Sequence, residues 1–294
     1  MKKYLSIFIL TLFLVGCGGE SRPSLEERMA SSEVQISLVD ELEDSVAEPP
    51  SSEAIPAASN LTLKDPNQSF EKYLPTLMLH YIEAIPLDSP DQMRYKLSFS
   101  PEKLEAFLIY FKENKIQTLT YHDLIPMING ELPFPEKAVM LTFDDGYDDH
   151  YSEAFRLLKK YDMKGVFFII SGKPDQDSDY ATWAQVKEMA DAGQEIASHT
   201  VTHPSLTTLA PEAQRKELEE SKEVLEEKIG KPVISLAYPG GDYNQATLDS
   251  VKEIYTFART TEAGKDFSLQ KRYELPTVRI FPETGVASLR AWFE

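Results

Sequence analysis

Cysteine is almost absent from this 294-residue chain, which has Cys17 and no other. One cysteine excludes an intramolecular disulfide and any zinc site built from several thiolates. Basic side chains are also scarce: 30 Lys and Arg stand against 48 Asp and Glu, a formal charge of −18. A chain so poor in cations argues against nucleic acid as its partner, because binding would need a basic face to displace counterions from phosphates. It equally argues against attachment to a membrane surface through a polybasic patch. Only five histidines occur, and none follows His203. No apolar run reaches the roughly 20 residues that a bilayer span requires, and no internal repeat is visible. What remains, 42% hydrophobic and 27% charged residues, is enough for an ordinary globular core.

Near the start, Lys2 and Lys3 precede an apolar run from Tyr4 to Val15. Its length and its positive flank read as the hydrophobic region of a signal peptide. The run passes into Leu14-Val15-Gly16-Cys17, which resembles the bacterial lipobox. That resemblance implies a signal peptide over 1–16 and a mature chain that begins at lipidated Cys17. Lipidation of the thiol together with acylation of the new amino terminus supplies enough hydrocarbon for stable anchoring, where a single acyl chain does not. The expected location is an exported lipoprotein on a cell-envelope membrane. Gly18 in place of Asp favours the outer membrane, on its periplasmic side, if the host is Gram-negative. Residues 18–72 carry 12 acidic and 4 basic side chains, a net charge of −8, interleaved with Ser, Pro and Ala. This composition predicts that 17–72 form a disordered, self-repelling linker, which leaves 73–294 as the folded domain.

Within that domain short apolar runs alternate with amphipathic segments. Strands are expected at Thr76–Ile82, Ile116–Leu119, Ala138–Phe143, Gly165–Ile170, Glu195–His199, Val233–Tyr238, Thr256–Arg259 and Leu275–Phe281. Several are apolar throughout, as parallel strands covered on both faces are. Helices are expected at Ser100–Glu113, Asp149–Tyr161, Thr182–Ala192, Pro211–Ile229 and Gln245–Glu253, with Asp148 and Asp149 capping the second of these. The predicted fold class is α/β: a distorted or incomplete (β/α) barrel of seven to eight strands. His122 and His150 read as surface residues.

In such barrels reactive groups collect at the C-terminal ends of the strands. Here the first strand ends in His80, the third in Thr142-Phe143-Asp144-Asp145-Gly146, the fifth in Ser198-His199-Thr200-Val201-Thr202-His203-Pro204 and the sixth in Ala237-Tyr238-Pro239-Gly240-Gly241. Two adjacent carboxylates can divide labour, one holding a metal while the other stays free as a base. His199 and His203 are four apart, a spacing that places two imidazoles on one side of a helical turn. With Asp145 they make a set of two histidines and one carboxylate, which leaves open positions for water and substrate.

These runs resemble the polysaccharide deacetylase family, the NodB-homology domain of carbohydrate esterase family 4. TFDDG at 142–146 matches its first motif, and HTVTHP at 199–204 its second, His-Ser/Thr-x-x-His-Pro. LMLHYI at 77–82 and AYPGGDYN at 237–244 are similar to strands of the poly-N-acetylglucosamine deacetylase branch. The resemblance covers about 76–284. It implies Asp144 as general base, Asp145, His199 and His203 as ligands of one divalent metal ion, zinc with cobalt or nickel as alternatives, and the Tyr238 N–H as an oxyanion donor. The substrate class implied is an acetylated envelope or extracellular polysaccharide: poly-N-acetylglucosamine, peptidoglycan glycan strands or chitin-like oligomers. No obligate protein partner is implied.

Two departures stand out. The family's third motif commonly carries an arginine that pairs with the catalytic aspartate, but here the stretch reads Leu236-Ala237-Tyr238-Pro239. The family's last motif supplies a histidine as general acid, and here the last strand has none. His80, at the rim end of the first strand, is therefore expected to be the acid. Arg279 is expected either to orient Asp144 or to bind a substrate oxygen. Tyr81, Tyr147, Tyr151, Trp183, Tyr238 and Tyr243 are placed near the rim, where aromatic faces suit sugar rings, and Tyr147, Trp183, Pro239 and Arg279 are the expected substrate contacts. Two further readings keep the same site: an O-acetyl esterase, whose better leaving group needs an acid less, and a non-catalytic glycan-binding lipoprotein.

Overall fold

A computed structural model describes residues 61–293. The expected signal peptide, Cys17 and most of the expected linker lie outside them. In chain order the elements are β1 (Glu71–Tyr73), β2 (Thr76–Leu79), α1 (Gln92–Leu97), α2 (Pro101–Glu113), β3 (Gln117–Thr118), α3 (Tyr121–Ile128) and β4 (Ala138–Asp145). A π-helical turn, His150–Phe155, then runs into α4 (Arg156–Tyr161), followed by β5 (Val166–Ile169), α5 (Trp183–Asp191), β6 (Glu195–Ser198), α6 (Pro211–Ile229) and β7 (Ser235–Ala237). The chain closes with α7 (Gln245–Ile254), β8 (Phe257–Ala263), β9 (Asp266–Ser268), β10 (Leu275–Arg279) and α8 (Val286–Phe293).

Seven strands close a ring in the order β2-β10-β8-β7-β6-β5-β4, and β2 pairs back onto β4. All these pairings are parallel. The eighth strand, β3, pairs only with the first residues of β4 and stays outside the ring. The result is the expected (β/α) barrel. A feature not anticipated is the small antiparallel sheet of β1 and β9.

Strand alternation sorts the side chains into two layers. Along β4, Val139, Leu141 and Phe143 pack outward with the helices, while Ala138 and Met140 pack inward. By the same parity Thr142 and Asp144 point into the barrel. On β8, Phe257 is inward and Ala258 outward, so Arg259 also faces in. Tyr121, Leu124, Ile125 and Ile128 of α3 join the inner cluster beside Ala138 and Val166. This helix therefore covers the N-terminal end of the barrel and leaves the C-terminal end for chemistry.

Three sequence expectations change. Residues 61–72 are not the end of a linker, because Leu61, Leu63 and Phe70 pack against the inner cluster and Lys64 N–H donates to Asn129 Oδ1 at 2.9 Å. His150 is fully buried rather than on the surface, and His122 is half-buried, with Nδ1 3.1 Å from the buried Glu195 carboxylate. Asp149 makes no capping bond at its helical turn; its Oδ2 instead accepts the Ile82 N–H at 3.0 Å, while Asp148 Oδ1 accepts from Gln185 Nε2.

Candidate active site

The C-terminal ends of β4 and β6 bring Asp145, His199 and His203 together, with one ligand atom of each within 4.8 Å of the others. Nε2 of both histidines lies 3.4 Å from Asp145 Oδ1. Asp145 sits at φ 83° and is followed by Gly146 at φ 87°. Non-glycine residues pay strain for left-handed backbone, and it recurs at functional sites. Here it turns consecutive aspartates in different directions, Asp144 into the barrel and Asp145 across its mouth.

The two histidines do not share a helical turn as their spacing suggested. They lie on a loop in which Thr200 and His203 adopt φ 64° and 60°. Glu217 of α6 ties that loop down: Oε2 accepts the Val201 and Thr202 N–H groups at 2.8 and 2.9 Å, and Oε1 accepts the Thr202 hydroxyl at 2.7 Å. The Thr200 hydroxyl accepts the His203 N–H at 3.1 Å. Gly172 packs so closely that a Cβ there would stand 2.7 Å from the Val201 carbonyl oxygen.

The set fits a divalent ion on its own geometry. His199 Nδ1–H donates to the Ala237 carbonyl at 2.8 Å, which fixes the tautomer and turns the Nε2 lone pair toward Asp145. Ligands about 2.1 Å from a tetrahedral centre stand about 3.4 Å apart, and two imidazoles with one carboxylate suit zinc and its neighbours. Burial opposes the charge on Asp145, but the bond and charge of His199, with His80 and His203, hold its carboxyl well below the usual range. Burial also disfavours charge on both ligand histidines; Asp145 outweighs it at His199 and raises that pKa, whereas burial and the His199 charge leave His203 lowered.

Asp144 projects inward beside this group. The Arg259 guanidinium donates from Nη2 to Asp144 Oδ1, and His80 Nε2 lies 3.9 Å from Asp144 Oδ2. Burial alone would raise the Asp144 pKa, but the charges of Arg259, His80 and His199 together more than offset it and the carboxyl ends below its ordinary value. Arg259 is itself fully buried. Its Nη1 reaches Met78 Sδ at 3.0 Å, and its guanidinium lies 4.9 Å from the centre of the Phe168 ring. His80 is pushed down by burial, against the pull of Asp144 and Asp145.

Several expected contacts are elsewhere. The Tyr238 N–H, expected to hold an oxyanion, donates to the Arg259 carbonyl at 3.1 Å, and its hydroxyl donates to the Tyr273 carbonyl; β-sheet pairing has already committed the donor. The partner of Asp144 is Arg259 rather than Arg279; Arg279 is exposed at the end of β10, where its charge still acts on His80. Pro239 is buried. Trp183 packs on the outer core layer, as does Tyr151, whose hydroxyl donates to Glu188. Tyr243 stacks one face on Tyr238, and its hydroxyl donates to Glu274.

Tyr147 does border the site, where the Asp145 carboxylate acts on the hydroxyls of Tyr147, Tyr81 and Tyr180. Tyr81 and Tyr147 stack at 3.9 Å, and Arg94 covers Tyr81 at 4.4 Å. Ring edges and hydroxyls, not open faces, therefore line the adjoining groove of about 350 Å³.

Arg259, Glu217 and Tyr180 were not anticipated. Arg259 had a signal, a lone cation at an inward position of an apolar strand. Glu217 and Tyr180 had none, since long loops and helices separate them from the motifs they meet.

The profile of the family described as Polysaccharide deacetylase matches residues 131–256. YxkH of Bacillus subtilis, a protein assigned as a polysaccharide deacetylase, is 34% identical over 222 residues, covering 75% of this chain and 76% of that one. The poly-beta-1,6-N-acetyl-D-glucosamine N-deacetylase of Staphylococcus aureus is 26% identical over 265 residues, 74% of this chain and 91% of its own. The structure of Streptococcus pyogenes deacetylase PplD in complex with acetate superposes with a TM-score of 0.70 at 31% identity, covering 77% of this chain and 100% of that one. Barrel, ligand group and sequence agree, and the chain belongs to the polysaccharide deacetylase family.

Proposed function

We propose that this protein is a metal-dependent hydrolase that removes N-acetyl groups from an envelope or extracellular polysaccharide of N-acetylglucosamine type and releases acetate. The observation that carries this reading is the placement of Asp144. It is buried and held ionised by Arg259, immediately beside a group of three metal-ligand side chains that it does not join. A base, ligands with open positions and a nearby imidazole are the parts that amide hydrolysis needs.

Asp145, His199 and His203 would hold the ion, proposed to be zinc with cobalt or nickel able to replace it. When bound it supplies Lewis-acid polarisation of the acetyl carbonyl and acidifies water. Asp144 takes a proton from the attacking water, and Arg259 keeps its carboxylate aimed and charged. His80 enters neutral, because burial lowers its pKa. It collects a proton from Asp144 across the 3.9 Å gap and delivers it to the sugar nitrogen as the C–N bond breaks. Tyr81, Tyr147 and Tyr180 offer hydroxyls to the sugar beside the reacting centre.

The substrate class is supported by the Staphylococcus aureus relative, a poly-beta-1,6-N-acetyl-D-glucosamine N-deacetylase. The lipobox-like run ending at Cys17 supports anchoring in the cell envelope. The O-acetyl esterase and binding-module readings drew on a missing acid and a missing arginine; His80 and Arg259 remove that reason for them.

The test is acetate release by the purified full-length chain from N-acetylglucosamine oligomers after chelator treatment, with and without zinc or cobalt, beside His199→Ala. The expected result is release restored by metal in the wild type and absent from the variant. Metal binding without release from any N-acetyl oligomer would sink the proposal.

A further inference from the structure

His80 is the first residue after β2, and nothing in its own side-chain contacts locks it in place. Its backbone, however, is held from one side by two consecutive residues. The His80 carbonyl is 2.7 Å from His150 Nε2. A carbonyl can only accept, so Nε2 carries the proton. Two residues on, the Ile82 N–H donates to Asp149 Oδ2 at 3.0 Å. From the other side Tyr81 N–H donates to the Leu97 carbonyl and Phe99 N–H to the Tyr81 carbonyl.

His150 is built for this bond rather than for proton traffic. It is fully buried, set among the rings of Phe143, Tyr147 and Phe167 at 5.7, 5.8 and 5.9 Å. Its Nδ1 has no partner. Burial pushes its pKa down to about 4, so the ring is a neutral, single-donor strut at working pH. It opens a π-helical turn, a geometry found often at functional sites. An ordinary aromatic would fill the same space; what the imidazole adds is one N–H aimed at one carbonyl.

We propose that Asp149 and His150 are positioning residues for proton delivery: together they fix the His80–Ile82 backbone and so hold the His80 imidazole within reach of Asp144 and the departing amine. This rests on the reading of His80 as the acid. It predicts a selective defect. Breaking an amide needs a proton on the leaving nitrogen, whereas hydrolysis of 4-nitrophenyl acetate does not, because nitrophenolate departs unaided. Loss of the strut should therefore impair the first reaction and spare the second.

The experiment uses the zinc-loaded full-length chain and its variants His150→Phe, His150→Gln, Asp149→Ala, Asp149→Asn and His80→Ala. It compares kcat on an N-acetylglucosamine oligomer with kcat on 4-nitrophenyl acetate, alongside bound zinc per chain. A correctly placed general acid is typically worth about 10²–10⁴-fold, so His150→Phe should lose at least about 10-fold on the oligomer and less than about 3-fold on the ester. Zinc content should not change. His150→Gln, whose amide can donate to the same carbonyl, should recover part of the loss. Asp149→Asn keeps an acceptor for Ile82 and should stay near wild type, while Asp149→Ala should show the selective defect; it decides the matter if His150→Phe does not fold.

His80→Ala separates the two readings. If it is selectively impaired and the strut variants are not, the positioning proposal is overturned while His80 remains the acid. If His80→Ala loses nothing on the oligomer, the acid reading fails and the proposal falls with it. Equal losses on both substrates in His150→Phe and Asp149→Ala would mark a structural role only and overturn it.

Discussion

Arg259 and Asp144 meet inside the barrel from strands on opposite sides of the ring, β8 and β4. The ion pair is fully buried, so its two members are worth more together than either is alone. Removing one partner of a buried pair typically costs about 3–5 kcal/mol, because the other charge is left uncompensated. Arg259→Met should lower the melting temperature by roughly 6–20 °C, at about 2–4 °C per kcal/mol for a domain of this size. Adding Asp144→Asn should return part of that loss. Additive melting shifts in the double variant would show that the two do not couple.

Asp144 and His199 should separate chemistry from metal. Asp144→Asn is expected to retain the ion and lose about 10²–10⁴-fold in kcat, the usual range for a general base. His199→Ala should lose the ion itself. Metal per chain and kcat, measured on the same preparations, check this; an Asp144→Asn protein with full activity would contradict the role given to that carboxylate.

Glu217 touches no expected ligand, yet three of its hydrogen bonds hold the loop between His199 and His203. Supporting residues of this kind typically change metal affinity by about 10–100-fold. Glu217→Ala should weaken zinc binding by that order in a chelator competition, with Glu217→Gln between it and wild type. Unchanged affinity would mean that the left-handed loop holds its shape without the clamp.

At the other end of the barrel, burial and the Glu195 carboxylate act oppositely on His122, and Glu195 prevails, raising its pKa above 6.5. Burial would raise Glu195 above 4.5, but His122 and the Ser235 hydroxyl lower it. A raised histidine contributes stability below its ordinary pKa and loses it as pH climbs through the folded value. A lowered carboxylate contributes above its ordinary pKa and loses it as pH falls through the folded value. The pair therefore contributes most between about 4.5 and 6.5. The gap in melting temperature between wild type and His122→Phe should be wider at pH 5.5 than at pH 9. An equal gap at both values would assign the pair no electrostatic contribution.

The meeting of Asp144, Asp145, His199, His203 and His80 was legible because each lies within a few residues of the end of an apolar strand. In a parallel barrel, strand ends share one rim, so local sequence position already implies convergence. The substrate contacts were less legible. Trp183, expected among them, opens α5 and packs on the outer layer, while Tyr151 and Tyr243, expected near the rim, pack on that layer and on Tyr238.

Chain composition and motif order determined the barrel class, the lack of an intramolecular disulfide and the gathering of Asp144, Asp145, His199 and His203 at one rim, because these depend on local pattern and on which elements follow which. Tertiary structure alone decided that Arg259 answers Asp144, that Glu217 holds the histidine loop, that Tyr238 spends its N–H within the sheet and that His150 braces His80. Each of these is a contact between residues 15 or more positions apart. Ring closure and backbone register set such contacts, and a linear sequence does not display them.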